Sequence, residues 1–198
     1  MYNKSIETVI VKERDAIHVM LKSLDYNELD KVIRVIKKTK GKVVFMGVGK
    51  SGHIGEKLAA TFSSTGTPSF YVHCTESCHG DLGMIEQRDT VILISNSGST
   101  KEVTQNIEPL RKIGATLIAF TSKKDSVLAK SCDYQIIYPS LSEADHLNLA
   151  PTVSSTLTLV LGDAIGCAIS KDKDFTRSDF YKYHPNGALG ESLKKEGK

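Results

Sequence analysis

Two short segments hold the residues with the clearest chemistry: Gly47-Val48-Gly49-Lys50-Ser51-Gly52 and Ser95-Asn96-Ser97-Gly98-Ser99-Thr100. In the first, the glycines permit a tight turn whose backbone N–H groups face an anion at a helix N-terminus. The Ser51 hydroxyl adds a donor there and Lys50 adds a mobile positive charge. The second segment supplies the hydroxyls of Ser95, Ser97, Ser99 and Thr100 and a glycine, ahead of a helix predicted from about Lys101 to Lys112. Its hydroxyls and amides can wrap a second side of the same anion, and together the two loops suit one phosphate group. Taken singly, each also reads as an ordinary turn, with glycines that only bend the chain or serines that only cap a helix.

Larger phosphate ligands fit less well. Gly47 to Gly52 satisfies G-x-G-x-x-G, but a dinucleotide site needs an acidic residue about 20 positions on. The sequence there reads Phe70-Tyr71-Val72-His73-Cys74, with no carboxylate before Glu76. The Gly49-Lys50-Ser51 triplet resembles the end of a nucleoside-triphosphate loop, yet the glycine that motif requires five residues upstream is Val44.

The elements that must position these loops follow from periodicity. Ile6 to Leu24 places Val9, Ile10, Ile17, Met20 and Leu21 at helical spacing, and Leu29 to Lys40 repeats the pattern with Val32, Ile33 and Ile36. From Lys42 the period changes to short apolar, β-branched runs: Lys42–Met46, Ser69–Val72, Thr90–Ile94, Thr116–Phe120 and Tyr134–Ile137. Strands that are continuously apolar and separated by helices are buried on both faces. The expected fold is therefore α/β: a three-layer α-β-α sandwich around a five-stranded parallel, doubly wound sheet. In such sheets ligands bind beyond the carboxyl ends of the strands at a topological switch point, which is where both loops fall. One domain over residues 1–198 is expected, with residues 1–40 as N-terminal helices and 194–198 as a polar tail.

The 198 residues carry 26 Lys and Arg against 23 Asp and Glu. A net charge of +3 is too small to suggest a nucleic-acid partner. Met1 to Glu7 has no apolar core of a secretory signal, so a cytoplasmic location with reduced thiols is expected. The apolar stretch Val153 to Ser170 contains Asp163, Gly162 and Gly166 and reads as a buried helix rather than a membrane span. Cys74, Cys78, Cys132 and Cys167 form no C-x-x-C pair, and the run His73, Cys74, Cys78, His79 lacks a standard zinc spacing.

The serine loop resembles the phosphate-binding loop of the sugar isomerase (SIS) domain. The runs Gly47 to Ile54, Ser64-Thr65-Gly66-Thr67-Pro68, His79-Gly80-Asp81-Leu82-Gly83-Met84, Leu149-Ala150-Pro151-Thr152 and His184-Pro185-Asn186-Gly187-Ala188-Leu189-Gly190 are together similar to the arabinose 5-phosphate isomerases. The likeness extends roughly from Gly41 to Leu193. It implies interconversion of D-ribulose 5-phosphate and D-arabinose 5-phosphate through an enediol, toward the eight-carbon acid Kdo of lipopolysaccharide or capsule. Position by position, it implies catalytic roles for Lys50, Glu102, Glu143, His79 and His184, and phosphate binding by Ser51, Ser95, Ser97 and Thr100. One glutamate would shuttle the proton, its pKa raised toward neutrality by desolvation, with Lys50 stabilising the oxyanion and a histidine assisting ring opening. Glu102 and Glu143 are not ranked by sequence.

The resemblance further implies no cofactor and no catalytic metal, with inhibitory zinc at His79 the one metal contact considered. It implies a homotetramer with sites at subunit interfaces, and no nucleic-acid or membrane partner. Many relatives continue into paired CBS domains; with the sequence ending at Lys198, a short form without them is expected. Three departures flank the candidate residues. Glu143-Ala144-Asp145-His146 stands where many members have Glu-Ala-Cys-Pro, Cys78 replaces a serine, and Asn186 replaces a glycine. These bear on substrate preference, and the alternatives are an isomerase of another ketose phosphate or a non-catalytic sugar-phosphate-binding regulator.

Overall fold

The computed structural model describes residues 2–186 and Ser192. The Gly187 to Gly190 part of the His-Pro motif and the 194–198 tail lie outside the described residues.

Helices α1 (Tyr2–Ser23) and α2 (Tyr26–Lys38) precede the sheet. The second starts three residues earlier than the apolar periodicity predicts. The reason is Asp25, whose carboxylate accepts from the amides of Asn27 and Glu28 and fixes the first turn. The strands are β1 (Val43–Gly47), β2 (Ser69–His73), β3 (Thr90–Ile94), β4 (Thr116–Thr121) and β5 (Tyr134–Ile137). Between and after them run α3 (Gly49–Ser64), α4 (Cys74–Ser77), α5 (Lys101–Thr104), α6 (Ile107–Ile113), α7 (Val127–Ser131), α8 (Val153–Asp172) and α9 (Arg177–Tyr183). A 3₁₀ turn covers Asp81–Met84.

All five strands are parallel, in the order β2-β1-β3-β4-β5, as expected for a doubly wound sheet. Alternate residues of each strand feed two separate cores. Val43 and Phe45 of β1, Ile92 and Ile94 of β3, and Ile118 and Phe120 of β4 pack with α1, α2, α3 and α8. Val44, Met46, Val91, Leu93, Leu117 and Ala119 face the opposite way, against α4 to α7. The central strands β1 and β3 are buried throughout, which is why their sequences read as unbroken apolar runs.

The single helix predicted after the serine loop is divided into α5 and α6. Pro109 has no N–H to offer the carbonyl of Gln105, so the helical ladder cannot continue through this turn. The junction is fixed by Asn106, fully buried, whose amide donates to the carbonyls of Glu102 and Cys74 at 2.8 and 3.1 Å.

Among the described residues, α8 is the one helix long and apolar enough to cross a membrane, and half of its most apolar window is buried inside the fold. It crosses α3 closely because Gly162 and Gly166 carry no side chain. A Cβ at Gly162 would lie 2.4 Å from Leu58 Cδ1, and one at Gly166 would lie 2.8 Å from Phe62 Cε2. This contact seats the beginning of α8 beside the beginning of α3, at the carboxyl end of the sheet.

At the opposite end, Asp89 ties the strand entrances together. Only 1% exposed, it accepts from Lys42 N at 2.7 Å and Glu86 N at 2.8 Å, while its carbonyl accepts from Thr116 N at 3.1 Å. Asp89→Ala leaves two amides without their acceptor and is expected to lower stability by roughly 2–3 kcal/mol. Asp89→Asn, which keeps one carbonyl oxygen, should lose less. Urea-unfolding midpoints of the two variants and the parent chain check this, and equal losses would show that carboxylate charge rather than acceptor geometry is what the site needs.

Candidate active site

The carboxyl ends of β1 and β3 lie side by side, while their following segments leave in different directions: α3 packs toward β2 and the serine loop runs toward β4. This is the switch point of the sheet. The turn after β1 is built for close approach. Gly49 adopts φ +56°, a conformation that side chains disfavour, and Gly52 lies under Tyr71, whose hydroxyl would be 2.5 Å from a Cβ there. The same hydroxyl donates to the Gly47 carbonyl at 2.8 Å. Val48, at the N-cap of α3, offers no side-chain acceptor to the first turn. The amides of a 16-residue helix are thus left facing the crevice, with Ser51 half-buried and Lys50 exposed beside them.

After β3 the hydroxyls gather into a small cluster. Ser95 Oγ lies 2.9 Å from Thr100 Oγ1, which is 3.4 Å from Ser97 Oγ; Ser95 Oγ also accepts from Gly98 N at 3.1 Å. Gly98, at φ +63°, has no room for a side chain: a Cβ would lie 2.1 Å from Ser126 Oγ. The loop is anchored to β4 through the Asn96 carbonyl, which accepts from Ser122 N, Ser122 Oγ and Thr121 Oγ1 at 3.2, 2.9 and 3.1 Å.

A cavity of about 260 Å³ opens here, lined by Lys50 and Ser51 from the first loop, Asn96 from the second, Glu143, and Ser154 and Thr158 of α8. A larger groove of about 710 Å³ lies at the amino ends of the strands, remote from both loops and lined by Lys38, Arg88 and Arg111 among others.

Glu143 is held by the helix that the α3 contact has seated. Its Oε2 accepts from Thr152 N at 2.8 Å, Thr152 Oγ1 at 3.1 Å and Ser154 N at 3.1 Å. Burial pushes the carboxyl pKa up, but the hydrogen bonds from Ser154 and Thr152 outweigh it, and the net shift is downward. This corrects the expectation of a glutamate raised toward neutrality: an amide-capped carboxylate at the start of α8 is stabilised in its charged form. The preceding loop is folded by Asp145, whose carboxylate accepts from Leu147 N, Leu149 N and Ala150 N at 3.0, 2.9 and 3.0 Å. Asn148 closes it further, accepting from Glu143 N at 2.7 Å. Asp145, one of the departures from the related sequences, thus shapes the chain that carries Glu143.

The other sequence-derived candidates fall outside the cavity. Glu102 is exposed in the first turn of α5, on the side of Cys74, whose thiol burial pushes up to about 12. His79 is exposed on the turn after α4. His184 ends α9, its ring stacked on Phe180 with centroids 3.9 Å apart and Nδ1 3.0 Å from the Phe180 carbonyl. The His73 to His79 run is occupied locally: His73 Nδ1 accepts from Thr75 N at 3.3 Å, and Cys78 Sγ lies 3.8 Å from Asn106 Oδ1. Among the described residues, no three His, Cys, Asp or Glu side chains group to hold a metal ion.

The cavity also takes in Asn96, Tyr138, Ser154 and Thr158, which no sequence motif singles out. Asn96 lies inside the serine loop, where the neighbouring hydroxyls carry the clearer phosphate chemistry. Tyr138 lies one residue past β5, outside the expected strand Tyr134–Ile137, and nothing in the sequence places α8 at this crevice.

The likeness to known proteins runs over most of the chain. It is 46% identical over 189 residues to the arabinose 5-phosphate isomerase KdsD of Pseudomonas aeruginosa, covering 96% of this chain and 58% of that protein. To KdsD of Escherichia coli K12 it is 53% identical over 154 residues, 78% of this chain and 47% of that protein. The chain therefore spans about half the length of the curated relatives it matches. Among solved structures, an E. coli CFT073 protein in complex with arabinose 5-phosphate superimposes with a TM-score of 0.89 at 52% identity, covering 91% of this chain and 95% of that one. The SIS domain pattern matches residues 36–168, from the end of α2 through most of α8, and with the parallel sheet and its two loops in place the chain belongs to the SIS-domain family.

Proposed function

We propose that this chain interconverts D-ribulose 5-phosphate and D-arabinose 5-phosphate. The observation that carries the reading is the meeting of Lys50, Ser51 and Glu143, from loops more than 90 residues apart, around one cavity of sugar-phosphate scale. The high identity to proteins named as arabinose 5-phosphate isomerases, and to a structure holding arabinose 5-phosphate, supports that substrate over other ketose phosphates.

In this mechanism the phosphate sits against the first-turn amides of α3 and the hydroxyls of Ser51, Ser95, Ser97 and Thr100. Glu143, ionised in the resting site, takes a proton from C1 of the open-chain ketose and returns it to C2. Between the two steps the enediolate oxygen is stabilised by the Lys50 ammonium, and a proton passes from O1 to O2. Bound substrate displaces water and adds negative charge, and both raise the carboxyl pKa from its resting value and so make it a better base. Cavity membership favours Glu143 over Glu102 as this base. Glu102, His79 and His184 act from positions outside one protomer's cavity, which is consistent with a homo-oligomeric assembly, proposed as a tetramer, that completes each site with groups from a neighbour. The exposed Ile6, Ile10 and Leu21 on α1 provide apolar surface for such an assembly. A cytoplasmic setting and supply of Kdo synthesis complete the proposed role.

Proton NMR of D-ribulose 5-phosphate with the protein in D₂O tests the reaction. D-arabinose 5-phosphate carrying deuterium at C2 is expected, with turnover lowered about 10²- to 10⁴-fold in Glu143→Gln and about 10²- to 10³-fold in Lys50→Ala. Conversion of a different ketose phosphate alone would replace the sugar, and tight binding without conversion of any would replace the enzyme by a binding module. Full turnover in Glu143→Gln with loss in Glu102→Ala would move the base to Glu102.

The same carboxylate links stability to pH. Because the folded pKa of Glu143 is depressed, its contribution is present above the unfolded value and is lost as pH falls through the folded one. The stability difference between the parent and Glu143→Gln should be constant near neutral pH and shrink below about pH 4. Urea unfolding across that range checks it, and a difference that grew on acidification would reverse the assigned shift.

A further inference from the structure

Inside the cavity, one polar side chain has its orientation fixed from the core. Tyr138 is 2% exposed and packs edge-to-face on Phe120 with ring centroids 5.8 Å apart. Its hydroxyl donates to Asn96 Oδ1 at 3.0 Å. The Asn96 backbone is pinned separately by the three donors from Thr121 and Ser122. With Oδ1 engaged, the amide presents its two Nδ2 hydrogens, which have no partner among the described residues, and the residue itself is exposed and lines the cavity. Ser95, Ser97 and Thr100 of the same loop bond to one another and do not line it.

We infer that Asn96 is a specificity-determining donor to an oxygen of the substrate's carbon chain, and that Tyr138 is the positioning residue that holds its amide with the N–H face toward the sugar. This rests on the sugar-phosphate reading of the cavity and adds a division of labour to it. The hydroxyl cluster and the α3 amides take the phosphate, and Asn96 reads the polyol between Lys50 and Glu143. The reason for the buried tyrosine is that a carboxamide free to rotate by half a turn would offer its oxygen to the cavity, and an acceptor there cannot donate to a substrate oxygen. The phenol, anchored in the core against Phe120 and donating to Oδ1, holds the amide in this orientation.

Titration calorimetry on the full chain separates these roles, using D-arabinitol 5-phosphate, which cannot isomerise, and inorganic phosphate. Asn96→Ala is expected to weaken arabinitol 5-phosphate about tenfold, and Tyr138→Phe, which keeps the ring, about threefold, each the loss of roughly one net hydrogen bond or less. Inorganic phosphate should bind all variants within about twofold of the parent. The double variant should match Asn96→Ala alone, because Tyr138 acts through that amide, whereas a purely structural tyrosine would add its own loss. Additive losses, a parallel fall in phosphate affinity, or unchanged binding in Asn96→Ala would each overturn the inference; Asn96 is exposed, so that variant remains informative even if Tyr138→Phe folds poorly. A parent protein that binds arabinitol 5-phosphate yet isomerises nothing refutes the isomerase reading while these titrations still decide the inference. One that binds no arabinitol 5-phosphate refutes both.

Discussion

The crevice between β1 and β3 is the constraint from which the rest of this molecule follows. Parallel neighbours hydrogen-bonded in register from Val43↔Thr90 to Met46↔Leu93 bring two carboxyl termini to the same level. Their successors must diverge, since one returns over the sheet to β2 and the other to β4. Backbone amides at such an end have no strand to pair with, and the glycines of both loops let them face outward rather than be covered by side chains. A fixed array of donors in a half-enclosed space favours a compact anion, and everything else in the site is arranged around it.

Glu143 illustrates how the second layer of elements enters. Its loop has no regular structure, so its position depends on what it caps. The start of α8 supplies amides at Thr152 and Ser154, and α8 is where it is because Gly162 and Gly166 let it approach Leu58 and Phe62 of α3. A close helix contact in the core thus sets the place of a carboxylate several turns away. The consequence is a resting carboxylate held below its ordinary pKa, so the proposed proton shuttle depends on substrate binding to raise its basicity.

Much of the fold was legible beforehand because burial on both faces writes itself into sequence as unbroken apolar strands, and helices as apolar residues at three- and four-residue spacing. The strand set differed from expectation by a residue at most at any end. The departures are local: the run from Lys101 to Lys112 has helical composition throughout, yet Pro109 and the buried Asn106 divide it. Likewise the start of α2 is set by one Asp25 carboxylate, which periodicity does not weigh.

By itself the sequence determined the class of fold, the two anion-facing loops and their placement at strand ends, because these depend on residues adjacent in the chain. Its motifs also carried the family. Tertiary structure alone decided which candidates share a cavity. It brought Glu143 beside Lys50, left Glu102, His79 and His184 outside that cavity, and added Asn96, Tyr138 and Thr158. The physical reason is that a hydrogen bond such as Tyr138 to Asn96 joins residues 42 apart, and neither chain neighbourhood records the orientation that the other imposes.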